Sequence, residues 1–283
     1  MKSHPLDNGM KVFCLQPDEV QLTYQEVQNY LKYGIELKAG DTVFDIGANI
    51  GLFTVWLSHK FQGEINIYSF EPIPEIYQVL NANVQSLNNF NNSQNYQTYQ
   101  TYQKQNAKVF NCGLAEKSGD FTFTYYPKMS VGSTAYPMNQ AEINEWQNLS
   151  VENIQNFPPP ICYLQYLPSF LLKMIIQYKL NTGFQGKQVT CQLKTVSQII
   201  EESQIEKIDL LKVDVEKSEL DVLLGIENKD WGKIKQVFVE VHDINDRVVQ
   251  ISDLLKNQGF ANIKVEQEAI LNGSDIFSLY AWR

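Results

Sequence analysis

The sequence predicts an α/β fold, a doubly wound and mainly parallel sheet with helices on both faces, and three observations predict it. Short apolar runs alternate with helical patterns along most of the chain. The stretch VFDIGANIGLFTVWLSHK, residues 43–60, passes from a buried strand through a glycine turn into a helix. Glu71 ends the next apolar run, at the sheet edge where open α/β folds bind their ligands.

In chain order, strands are expected over 43–45, 65–70, 108–112, 208–213 and 236–241, with helices filling most of the gaps. After a helix over 247–258, the runs NIKVEQ and IFSLYAWR suit an antiparallel pair closing one edge of the sheet. Two segments interrupt the alternation. Residues 88–107 are rich in Asn, Gln and Tyr without apolar periodicity and read as a polar surface loop without chemistry. Residues 127–187 carry NFPPP and two helix-like patches and fall between core strands, as a helical lid or substrate-binding insertion would.

The composition narrows the function. The net charge of −9 over 283 residues leaves no basic stripe for a nucleic acid. Cys14, Cys112, Cys162 and Cys191 lack metal-ligand spacing and read as reduced thiols of a cytoplasmic protein. The opening residues lack the apolar core of a signal peptide. YLPSFLLKMII, residues 166–176, is too short to span a bilayer and is broken by Pro168 and Lys173, so no membrane association is expected.

The turn itself selects the ligand. Gly47-Ala48-Asn49-Ile50-Gly51 lacks the middle glycine that admits a dinucleotide pyrophosphate, and no phosphate-loop pattern follows. Asp45 ends the strand just ahead of the glycines, where a carboxylate repels phosphate and suits a ligand bearing ammonium and sulfonium charges. S-adenosylmethionine is such a ligand. Glu71 then stands where an acid accepts hydrogen bonds from the adenosine ribose, and Pro72 turns the chain into the next helix.

FDIGANIGLFT, SFEPIPEIY, IDLLKVDVEKSELDVLLGI and VFVEVHD resemble, in order and spacing, the FkbM family of S-adenosylmethionine-dependent methyltransferases. The lead-in LDNGMKVFCLQPDEVQLTYQEV is similar to that of members associated with polyketide synthase and nonribosomal peptide synthetase pathways. The resemblance implies a class I methyltransferase (Rossmann-like) fold with a seven-stranded sheet and a C-terminal antiparallel hairpin. It divides the chain into a lead-in, 1–36, closing over the cofactor through Tyr24 and Glu26, and a methyltransferase domain, 37–283. It also places Cys112 and Gly113 of FNCGLAE at the adenine pocket. Ser133 and Thr134, in VGSTAYP at the entry to the insertion, are candidates to meet substrate.

The family pattern D-x-E-G-x-E reads here Asp214-Val215-Glu216-Lys217-Ser218-Glu219, with Lys217 in place of the glycine. Asp214 and Glu216 alternate toward the carboxyl edge of the sheet, beside the transferred methyl. Glu240 and His242 share one side of the next strand, and His242 is the one histidine expected at that edge. The expected chemistry is methylation of a natural-product hydroxyl, polyketide or peptide. His242 serves as general base, Glu216 or Glu240 orients its imidazole, and Asp214 positions the reacting groups. S-adenosylhomocysteine is the product. The acceptor is a small molecule, free or tethered to a carrier protein. A divalent metal on Asp214, Glu216 and His242 is the competing use of these groups and is not expected. Methylation of a sugar or a nitrogen, or a non-catalytic cofactor-binding or docking module of an assembly line, are the alternatives.

Overall fold

The computed structural model describes residues 1–89 and 106–283. The polar loop expected over 88–107 lies, but for its ends, outside the described residues. Seven strands form the central sheet: β3 (Thr42–Ile46), β4 (Asn66–Phe70), β5 (Asn106–Phe110), β9 (Leu210–Val213), β10 (Gln236–His242), β11 (Asn262–Glu266) and β12 (Ile276–Trp282). Their order is β11-β12-β10-β9-β3-β4-β5, parallel from β10 to β5, with β12 antiparallel to both its neighbours. This is the class I methyltransferase arrangement. The antiparallel pair expected at an edge is present, but β12 inserts between β10 and β11, so β11 is the edge strand.

The strands read as continuous apolar runs because both faces of the sheet are covered. Successive residues serve two different cores. Val43, Ile67, Leu210 and Phe238 face α1 (Pro17–Glu26), α2 (Leu52–Lys60) and α3 (Pro74–Asn89). Phe44, Phe70, Leu211 and Val237 face α6 (Val196–Glu202), α7 (Glu219–Leu224), α8 (Asn228–Trp231) and α9 (Arg247–Asn257). The hairpin β1 (Lys2–Pro5) and β2 (Lys11–Cys14) belongs to the same body: Asn83 on α3 pairs through its amide with both the N–H and the C=O of Phe13. Val20, Tyr24 and Tyr30 of the lead-in lie in the first core.

A second sheet, of order β6-β8-β7, was not legible in the sequence: β6 (Gly113–Leu114), β7 (Gly119–Tyr125) and β8 (Lys187–Lys194). The insertion therefore hangs between two strands of this small sheet, and not between strands of the central one as expected. It carries α4 (Gln140–Glu152), which begins with an Asn139–Glu142 capping box, and α5 (Ser169–Gly183). The two helices share a core of their own around Ile154, Leu172 and Ile176. The opposite face of α5 leaves Phe170, Met174 and Tyr178 exposed. Among the described residues, no helix is long and apolar enough to cross a membrane.

Candidate active site

The carboxyl ends of β3, β4, β9 and β10, the turn after β5 and the lead-in enclose a cavity of about 370 Å³, a size typical of small-molecule sites. Its cofactor side follows the glycine turn. Gly47 has φ +73°, and a Cβ there would lie 1.7 Å from the Asp214 carbonyl oxygen. The glycine is thus demanded by the approach of β3 to the end of β9, a reason the sequence did not reveal. Gly51, at φ +87°, starts α2 in the left-handed region against Leu80. Asn49 (φ +50°) donates its backbone N–H to Glu71 Oε2 at 3.1 Å, and Ile73 N–H donates to Oε1 at 2.9 Å. Burial pushes the Glu71 carboxyl up to about 7 against those two donors. Gly47, Ala48, Asn49, Glu71, Pro72 and Gly113 line the cavity, whereas Gly51 does not.

Asp45 does not line it. The side chain is fully buried, accepts from Thr54 Oγ1 at 2.7 Å, and faces Lys212 Nζ at 3.0 Å. That last approach is an ion pair whose angle falls outside hydrogen-bond geometry. Asp45 is therefore the counter-ion of a buried lysine, and Lys212 is the group the sequence reading missed. Lys212 Nζ also donates to the Gly47 carbonyl at 2.9 Å and lies 3.5 Å from Asp214 Oδ2. Burial opposes its charge, but Asp45 and Asp214 outweigh burial and hold it above the ordinary lysine value.

The other end of the cavity is acidic. Glu26, Asp214, Glu216 and Glu240 all line it. One oxygen from each of Asp214, Glu216 and Glu240 lies within 4.8 Å of the others. Burial, followed by repulsion from Asp214, raises the carboxyl of Glu26 to about 8, against a hydrogen bond with Glu240 that lowers it, and raises that of Glu240 well above the carboxylate range. Tyr30 OH donates to Asp214 Oδ2 at 3.0 Å. The rest of the lining is mixed, with the apolar Phe121, Phe123, Val131 and Tyr136 beside Glu116, Lys117 and Asp221.

His242 sits behind this cluster and does not line the cavity. Its Nδ1 is 2.8 Å from Glu219 Oε1, and its Nε2 is 3.5 Å from Glu216 Oε2, within ion-pair range but beyond hydrogen-bond geometry. Burial works against its charge, but Glu216 and Glu219 outweigh it and hold the imidazole protonated, well above the ordinary histidine range. The carboxylate that orients His242 is Glu219, not Glu240. Glu219 is itself fully buried and paired with Arg247 Nη1 at 3.1 Å.

Three further expected contacts fall elsewhere. Tyr24 packs in the core and accepts from Asn8, while Tyr30 supplies the aromatic at the cavity. Two residues apart on a helix point about 200° apart, so Tyr24 and Glu26 cannot both face inward. Cys112 belongs to the second core, and only its neighbour Gly113 reaches the cavity. Thr134 is buried and donates to the Glu216 carbonyl at 2.7 Å, whereas Ser133 lines the cavity.

A family model for the methyltransferase FkbM domain matches residues 45–261. The chain belongs to the FkbM methyltransferase family. The chain is 30% identical to the 31-O-demethyl-FK506 methyltransferase FkbM of Streptomyces tacrolimicus, covering 98% of this chain and 95% of that protein. It is 28% identical to methyltransferase sdnD of Sordaria araneosa, covering 89% and 86%. It is also 31% identical to the AMB antimetabolite synthetase AmbE of Pseudomonas aeruginosa, covering 98% of this chain but only 12% of that protein. As an FkbM methyltransferase, the protein is an S-adenosylmethionine-dependent enzyme.

Proposed function

We propose that the protein transfers the methyl of S-adenosylmethionine to a hydroxyl of an apolar natural product, and that a carboxylate rather than His242 takes up the proton. The observation carrying this reading is the convergence of Glu26, Asp214, Glu216 and Glu240 on the cavity, with His242 buried behind them and pushed toward its charged form by Glu216 and Glu219. An imidazolium has no lone pair to accept a proton. Glu240 is the assigned base: its raised affinity for a proton suits the task, and the sulfonium charge brought by the cofactor favours its ionised form before transfer. The acceptor oxygen then attacks the methyl in line, the C–S bond breaks as the O–C bond forms, and the hydroxyl proton passes to Glu240, leaving S-adenosylhomocysteine. Tyr30 and Lys212 hold Asp214 in place, and the Glu219–His242 pair holds Glu216.

The acidic end disfavours phosphorylated or carboxylated acceptors at the reacting position, and the walls at Phe121, Phe123 and Tyr136 suit an apolar body. The Streptomyces relative is named for 31-O-demethyl-FK506, a name that accords with transfer to an oxygen. Incubation with methyl-labelled cofactor and hydroxylated lipophilic acceptors, free and carrier-bound, followed by mass spectrometry, tests it. Glu240→Gln should lose turnover at least about a hundredfold while binding S-adenosylhomocysteine normally. Parent-rate turnover in that variant would refute the assignment. The spacing of Asp214, Glu216 and Glu240 also favours a second reading, in which they hold a divalent cation against the acceptor oxygen. Loss of activity in EDTA and its return with Mg²⁺ or Mn²⁺ would select that reading.

A further inference from the structure

Lys217 stands where the family pattern has glycine, and the backbone there is still of the kind glycine favours. Glu216 and Lys217 have φ +51° and +76°, both in the left-handed region. A side chain in that conformation is strained and persists only where its surroundings hold it. Here the surroundings are specific. The Lys217 N–H donates to Glu219 Oε1 at 2.8 Å, its carbonyl accepts from Arg247 Nη1 at 2.8 Å, and its buried Nζ pairs with Glu142 Oε1 at 2.7 Å. Glu142 belongs to α4 of the insertion, and its other oxygen accepts from Asn139 N–H in the capping box at 2.7 Å. Two more contacts run the same way: Thr134 Oγ1 to the Glu216 carbonyl at 2.7 Å, and Tyr136 OH to Asp221 Oδ2 at 3.3 Å.

We infer that the Lys217–Glu142 ion pair is a latch through which the insertion positions the Glu216 carboxylate at the acidic end of the cavity. Lys217 and Glu142 are positioning residues; neither lines the cavity. The consequence for methyl transfer rests on the carboxylate reading above, but the latch itself is testable without an acceptor. Glu142→Gln keeps the capping box and removes the charge; Lys217→Met keeps the stem and removes the other charge; Lys217→Arg keeps the pair.

Amide hydrogen exchange over 214–219, with saturating S-adenosylhomocysteine, should quicken about tenfold or more in Glu142→Gln and in Lys217→Met. The double variant should be no faster than either, and Lys217→Arg should stay within about threefold of the parent. The affinity for S-adenosylhomocysteine should change by less than about twofold in all four. Unchanged exchange at 214–219 in Glu142→Gln, or additive effects in the double variant, would overturn the latch. Once an acceptor is found, the two charge-removing variants should lose kcat with KM nearly unchanged. Normal kcat together with quickened exchange would refute the link from latch to chemistry and leave the carboxylate assignment to its own test.

Discussion

Substituting Gly47 by alanine isolates the closest backbone approach in the site. A Cβ built there meets the Asp214 carbonyl oxygen at 1.7 Å and the Val215 side chain at 3.2 Å. Reaching ordinary contact requires β3 and the end of β9 to separate by roughly 1.5 Å or more. The left-handed conformation adds about 1 to 2 kcal/mol for a residue with a Cβ, and overpacking against backbone adds about 1 to 3 kcal/mol. The expected loss is thus about 2 to 5 kcal/mol, which for a chain of this length lowers Tm by roughly 3 to 8 °C. Because the displaced carbonyl belongs to Asp214, S-adenosylhomocysteine binding should weaken as well. Gly40 provides the control, since it has φ +88° but nothing within 4 Å of a built Cβ. Gly40→Ala should show only the backbone part, about 1 to 2 kcal/mol, with normal ligand affinity. Thermal unfolding and titration calorimetry on both variants decide the matter. Equal losses in the two, with ligand affinity intact, would refute the argument that chain-to-chain approach demands the glycine.

Lys212→Met should cost about 3 to 5 kcal/mol, because it leaves the buried Asp45 without its counter-ion; Asp45→Asn in the same chain should recover most of it, and denaturant unfolding of the three variants checks this. Glu71 sets a pH dependence with a definite sign. Its carboxyl is raised to about 7 in the free site, so the ionised form, the one proposed to accept the ribose hydroxyls, is scarce below that value. S-adenosylhomocysteine affinity should therefore rise about tenfold from pH 6 to pH 8. In Glu71→Gln it should be flat with pH and weaker by about 1 to 3 kcal/mol; calorimetry at three pH values checks both.

The sheet was legible because its signals are local: apolar runs at strand length, a glycine turn, and an acid at the next strand end. Glu71 could be placed from sequence because a single residue at a strand terminus has little choice of direction. Asp45 could not, since its partner Lys212 lies on a neighbouring strand far downstream, and nothing near Asp45 announces a buried cation. His242 misled for the same reason. Its strand and edge were foreseen, but its hydrogen-bond partner is Glu219, which sits at the start of α7 and reaches back beneath the site. The small sheet escaped notice because β7 and β8 are largely exposed and so lack the buried apolar run that marks a core strand.

Tyr125 and Lys187 are direct partners in the β7–β8 ladder, so the chain leaves the small sheet and returns to it at the same point. Everything between them is attached as though it were the loop of a hairpin, with its own core and its own capped helix. Evolution and engineering can use such a socket in the same way. Helices of other length or surface could be plugged in beyond Glu142 without altering the strand register that frames the cofactor side, provided the stretch from Ser130 to Glu142, which lines the cavity and holds Lys217, is kept.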